Sequence, residues 1–185
     1  MNRLLLFLIA YAFAVVLQGQ SLFNLERSII TFLSEAPLET ITSTNKAATG
    51  LIDPEERTFV IRIPIDEFLG FNSPLQYEHF NENYMNSRSW AYAYFKGRII
   101  EAVDLDKIGT QEVRAKGELN IRGEVRERII PCKLVVAEDG IRVTSSFEVE
   151  LDQHAIRIPR VVQQKIAPIV HVSVDLLFQR TKDRE

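Results

Sequence analysis

The sequence predicts an all-β fold of eight mostly antiparallel strands with two short helices, arranged as a closed barrel or a two-sheet sandwich. Three observations carry this. Polar and apolar residues alternate with a period of two, most cleanly in TQEVRAKGELNIRG. There Val113, Ala115, Gly117, Leu119 and Ile121 share one face, and Glu112, Arg114, Lys116, Glu118, Asn120 and Arg122 share the other. The links between such runs are of hairpin length, as at Asp139-Gly140. Each strand keeps one wet face, leaving the other for a common interior.

Residues 1–21 stand apart from this pattern. Arg3 precedes an apolar run from Leu4 to Leu17, and Gly19-Gln20-Ser21 offers small residues for cleavage. The run has 14 residues, and a membrane-spanning helix needs about 20. A secretory signal peptide cleaved near residues 19–21 is therefore expected, which would place the mature protein in the periplasm or outside the cell without stable membrane insertion. Residues 22–185 read as a single domain, since the chain is 46% hydrophobic and no Gly/Ser/Pro-rich boundary divides it. Removing Arg3 from 22 basic residues leaves 21 against 25 acidic ones, a net charge of −4 that does not favour nucleic acid. The lone Cys132 has no intramolecular disulfide partner, so packing must hold the domain together.

The elements follow in order. From Ser28 to Ala36, Ile30, Phe32, Ser34 and Ala36 form one face and Ile29, Thr31 and Leu33 the other, until Pro37 interrupts. Glu39 to Asn45 is β-prone, and the turn-rich stretch NKAATGLIDPEER reads as a loop. Phe59, Ile61, Ile63 and Ile65 then alternate with Val60, Arg62 and Pro64 as a third strand. Ser73, Pro74 and Gln76 occupy the N-cap, first and third positions of a helix start, and Tyr77, Phe80 and Tyr84 give that helix one apolar stripe. After Ser87 alternation returns, with Ala93, Phe95, Gly97 and Ile99 against Tyr92, Tyr94, Lys96 and Arg98. The strand ending at Arg122 is followed by Glu124 to Val136, where Pro131 marks an expected bulge or bend. Beyond the Asp139-Gly140 turn, Ile141, Val143, Ser145, Phe147, Val149 and Leu151 oppose Arg142, Thr144, Ser146, Glu148 and Glu150. A second short helix is expected from Pro159 to Ile166, and the last strand turns Val170, Val172, Val174, Leu176 and Phe178 inward.

Ala93, Gly97, Ala115, Gly117 and Ser145 are all small and all lie in the inward phase, which leaves volume for a ligand cavity. The competing reading is that these residues let the strands bend and coil. With a cavity, the wall would comprise those five residues together with Phe32, Phe59, Ile61, Phe95, Leu119, Val143, Phe147, Val172, Val174 and Leu176.

Several stretches together resemble the YceI-like family of bacterial periplasmic lipid-binding proteins. They are Phe32-x-Ser34-x-Ala36-Pro37, Glu78 to Tyr84 (EHFNENY), Phe95-Lys96-Gly97, Gly117-x-Leu119-x-Ile121-x-Gly123, Ser146-Phe147, and the segment from Leu151 to Pro159. No single motif is specific, but their order and spacing cover nearly the whole mature chain. The resemblance implies a lipocalin-like antiparallel barrel enclosing a long isoprenoid or related lipid, such as an isoprenoid quinone or a polyprenyl chain, with no catalytic residues. Ala91 stands where the family tends to have proline and Arg122 where it often has histidine, departures expected to alter the rim rather than the cargo.

Strand Gln111 to Arg122 supports that expectation physically, since 12 residues at about 3.3 Å each and a tilt near 40° give a barrel roughly 30 Å tall. Burying ten methylenes would contribute roughly 8 kcal/mol before ordering costs. Gln76, His79, Asn83 and His154 are the candidates for contacting a head group at the rim. His79 and Glu82 have a metal-capable spacing, but no second such pair or thiolate cluster accompanies them, so no metal and no other cofactor is expected. The carboxylates lie mostly on wet faces or in a loop, and no nucleophile elbow, phosphate loop or Cys–His arrangement is present, so no enzyme is expected. A hydrophobic lipid is thus the expected partner. A cavity-less structural or interaction barrel and an enzyme acting on a lipid are the alternatives, and a homodimer is compatible with either arrangement.

Overall fold

A computed structural model describes residues 22–181, so the expected leader lies outside the described residues. Ten strands run in the order β1 (Phe23–Ala36), β2 (Glu39–Asn45), β3 (Thr49–Asp53), β4 (Thr58–Pro64), β5 (Phe68–Leu69), β6 (Tyr92–Ile99), β7 (Gly109–Ile121), β8 (Glu124–Ala137), β9 (Gly140–Glu150) and β10 (Ile169–Arg180). Eight of them close an antiparallel barrel in the order β1, β3, β4, β6, β7, β8, β9 and β10. The ring shuts where β10 pairs with β1 from Phe23 opposite Arg180 to Leu33 opposite His171.

The two strands beyond the expected eight are β3 and β5. β3 falls within the stretch read as a loop, and its pairing explains it. Ile30 faces Asn45 on β2 and Asn24 faces Leu51 on β3, so the pairing advances six residues along each side (30 to 24, 45 to 51) without slipping. β2 and β3 are therefore one long strand interrupted at residues 46–48. At the break, side chains replace ladder bonds. The Ala47 N–H donates to Asn45 Oδ1 at 2.9 Å, and the Ala48 N–H donates to the buried Ser28 Oγ at 3.2 Å. Past the break β3 continues the wall onto β4, while β2 diverges and takes the two-residue β5 on its free edge. The gap between β2 and β4 is filled by the excursion that connects β4 to β6.

That excursion carries the expected helix, α1 (Pro74–His79). Ser73 Oγ accepts from the Gln76 N–H at 3.2 Å, and Gln76 Oε1 reaches back to the Asn72 N–H at 3.0 Å, so both sides of the N-terminus are capped. Beyond His79 the helix widens into a π turn over Phe80–Met85. The second expected helix shrinks to a single 3-10 turn, Arg160–Val162, as suits a stretch with proline at its start and two adjacent β-branched residues.

Pro131 produces no bulge against β7, where the register holds through Arg114 opposite Pro131. Its effect is on the other side. β8 pairs with β9 only from Lys133 to Ala137, and at Pro131, which lacks an N–H, the ladder gives way to a hydrogen bond from Ser145 Oγ to the Pro131 carbonyl at 2.7 Å. Arg122 and Gly123 both take positive φ in the two-residue turn joining β7 to β8, and the Trp90 ring lies where a Cβ on Gly123 would go.

Candidate functional site: an apolar cavity along the barrel

Inward-facing side chains of the eight staves enclose a cavity of about 560 Å³. Its closed end holds Phe23, Ile52, Ile99 and Phe178, with Leu105 folded in from the connection between β6 and β7. Its open end lies among the hairpin between β1 and β2, the helix α1, and the connection between β9 and β10. Phe59, Ile61, Phe95, Phe147, Val172 and Val174 point inward yet are only half-buried, because they face this hollow rather than packed atoms. Near the mouth Phe80 places its ring 5.5 Å from Phe32, 5.8 Å from Phe68 and 5.1 Å from Phe71, so the π turn seats the helix on an aromatic floor.

Of the residues expected to form the wall, Phe32, Phe59, Ile61, Ala93, Phe95, Ala115, Leu119, Val143, Ser145, Phe147, Val172, Val174 and Leu176 line this cavity. Gly97 and Gly117 do not. They face each other across β6 and β7, and a Cβ on Gly97 would come within 2.5 Å of the Gly117 Cα. These two glycines are small because two backbones approach closely there, not because a ligand needs the space. For the other small inward residues, Ala93, Ala115 and Ser145, the space in front of them is the cavity.

The four rim candidates separate in the same way. Gln76 and His79 line the mouth, and the Gln76 amide also donates to Glu39 Oε1. Asn83 is exposed on the π turn and outside the lining. His154 is 0% exposed and turned away from the cavity, with Nδ1 3.2 Å from the Glu124 carbonyl and no partner for Nε2. Burial pushes its pKa below the ordinary histidine value, against the pull of the Glu124 carbonyl and with help from Arg126 and Arg128.

Sequence reading missed Ser34, Glu39 and Lys165, which also line the cavity. Glu39 sits just after a proline-broken strand and Lys165 within a stretch read as helix, so no local pattern marks either. Cys132 lines the interior, where burial raises its thiol pKa and favours the neutral form. Among the described residues no three His, Cys, Asp or Glu side chains converge, and no helix is long and apolar enough to cross a membrane.

A closed antiparallel barrel around an apolar cavity open at one end has the lipocalin-like architecture. Comparison with solved structures refines this, and the fold is that of the YceI-like barrels. A polyisoprenoid-binding domain from Saccharophagus degradans implicated in plant cell wall breakdown superposes with a TM-score of 0.75 at 10% identity, over 86% of this chain and 98% of that one. BcnA of Burkholderia cenocepacia gives 0.67 at 13% identity, over 80% and 94%. The YceI protein of Campylobacter jejuni gives 0.56 at 9% identity, over 74% and 81%. No protein-family profile matches the sequence, and no curated protein is significantly similar to it.

Proposed function

We propose that this protein binds one long apolar chain of the isoprenoid class inside the barrel, with the polar end of the ligand at the mouth, and serves as a carrier or store of that lipid in the periplasm or outside the cell. The observation that carries the proposal is the cavity itself. Its 560 Å³ falls within the range of about 300–1,000 Å³ usual for small-molecule sites. At roughly 30 Å³ per heavy atom, the share of a water molecule in the liquid, it has room for on the order of 20 carbons. Apart from Ser145 and Cys132, whose polar atoms bond the main chain, the wall is apolar except near the mouth, where Ser34, Glu39, Gln76, His79 and Lys165 could meet a hydroxyl, carbonyl or phosphate group. The polyisoprenoid-binding domain among the structural neighbours supports the same ligand class.

Binding is favoured over catalysis because the polar groups of the interior are engaged with the main chain. Ser145 Oγ donates to the Pro131 carbonyl at 2.7 Å, Cys132 Sγ lies 3.5 Å from the Ile130 carbonyl, and Ser34 Oγ accepts from the Ala167 N–H at 3.0 Å. None is poised beside a general base. Mass spectrometry of an organic extract from protein purified without detergent is the direct test. An isoprenoid recovered in near-equal molar amount is the expected result. An empty extract together with no uptake of added polyprenol or isoprenoid quinone would overturn the proposal.

A further inference from the structure

Three apolar side chains stand in solvent around the cavity mouth, one from each element that frames it. Val161 is 90% exposed on the connection between β9 and β10, Leu38 is 66% exposed on the hairpin between β1 and β2, and Leu75 is 57% exposed on α1. The three elements are tied together. The Leu38 N–H donates to the Gln164 carbonyl at 2.8 Å, and Gln76 of α1 bonds Glu39 of the hairpin. The turn that exposes Val161 sends its next residue, Val162, and Ile166 into the cavity lining. One short segment thus faces the interior on one side and solvent on the other.

The same segment is basic in an acidic protein. From residue 153 to residue 174 the sequence holds no Asp or Glu, and it carries Arg157, Arg160 and Lys165, all exposed. Among the described residues none of these three is within ion-pair distance of a carboxylate. The carboxylates of Glu78 and Glu82 lie on α1 and its π continuation, where Glu82 pairs with Arg88 at 3.5 Å. The late connection, beside Val161, is therefore the basic part of the mouth, while Glu39, next to Leu38 on the hairpin, is bonded by Gln76 of α1. Exposed aliphatic tips flanked by unpaired basic residues suit the interface of an anionic bilayer, where the tips enter the acyl boundary and the cations meet head groups.

We propose that the rim formed by residues 157–165 and Leu38 docks this protein on an anionic lipid bilayer, turning the cavity mouth toward the membrane. This rests on the cavity being a lipid site only for its purpose; the docking itself is measurable alone. Sedimentation with vesicles tests it, using the chain from Leu22 onward, which contains every strand of the barrel. Binding is expected with vesicles of phosphatidylcholine mixed with phosphatidylglycerol, and it should weaken with added salt and be much lower on phosphatidylcholine alone.

Each basic residue removed among Arg157, Arg160 and Lys165 should lower partitioning about fivefold, and the triple alanine variant on the order of 100-fold. Val161→Asp should release the protein from the vesicles, while Ile108→Asp, at a 64% exposed position on the opposite end of the barrel, should not. Equal binding by the parent, Val161→Asp and the triple variant would overturn the proposal, as would absence of vesicle binding or indifference to phosphatidylglycerol. A dimer in solution that Val161→Asp dissociates, without vesicle binding, would assign the rim to a second copy instead. Lipid extracted from the same preparations keeps the two proposals separate. Docking by a protein that neither carries nor takes up lipid would sink the cargo reading alone, and cargo without docking would sink the docking reading alone.

Discussion

His154 is a fully enclosed imidazole with one nitrogen near a carbonyl and the other without a partner, wedged between the turn after β9 and the start of β8. Because burial lowers its folded pKa, the unfolded chain binds the proton more readily, and the contribution to stability has a definite sign. Stability is present above the ordinary histidine pKa of about 6.5 and is lost as pH falls from there toward the lowered folded value. The parent should therefore melt lower at about pH 5.5 than at about pH 7.5, and His154→Gln should flatten that difference while costing about 1 kcal/mol at the higher pH. An equal acid-side drop in the two proteins would assign the pH response to other groups. A histidine in the late connection could be seen in the sequence, but its direction could not. That direction is set by Glu124, far away in the chain, and a rim residue and a wedge look alike before β8 is placed beside it. Gly97 and Gly117 show the same limit, since inward phase is a local property and close approach of two backbones is not.

At the level of elements, the long strands β7 to β10 were legible because each buries one face and wets the other over ten residues or more, so the period-two signal repeats enough to be seen. β3 and β5, with five and two residues, have too little sequence to show a period and exist through distant partners on β1, β4 and β2. The phase itself makes a prediction. Val143 lines the cavity, and Thr144 lies on the outer face opposite Lys133 and Asp175. An arginine placed at 143 would put an unpaired charge in the apolar interior, at a cost on the order of 3 kcal/mol or more, whereas at 144 it would remain in water beside Asp175. Val143→Arg should fail to express or melt far below the parent, and Thr144→Arg should melt within a degree or two of it. Matching melting curves for the two would show the phase assignment to be wrong.

For the whole molecule, closure of the barrel by β10 on β1 and the meeting of the hairpin, α1 and the late connection at one mouth are products of topology, which is why Glu39 and Lys165 carried no local signal. The hollow interior then couples stability to cargo. A ligand that binds only the folded chain adds about 2.7 kcal/mol when present at 100 times its dissociation constant, which for a chain of this size is a rise in Tm of roughly 5–10 °C. Ala115 provides the discriminating variant, because it is buried in β7 and lines the cavity. If the space before it is open, Ala115→Leu fills the hollow, and the delipidated variant should be at least as stable as the delipidated parent. The same leucine would occupy part of the ligand's volume, so the variant should lose most of the rise in Tm on adding polyprenol. In a barrel that was already filled, the added carbons would overpack the wall at a cost of about 1–3 kcal/mol, and neither protein would respond to lipid. Thermal melts of both proteins, delipidated and reloaded, therefore give four values. A destabilised variant beside a lipid-indifferent parent is the pattern that would exclude a ligand cavity.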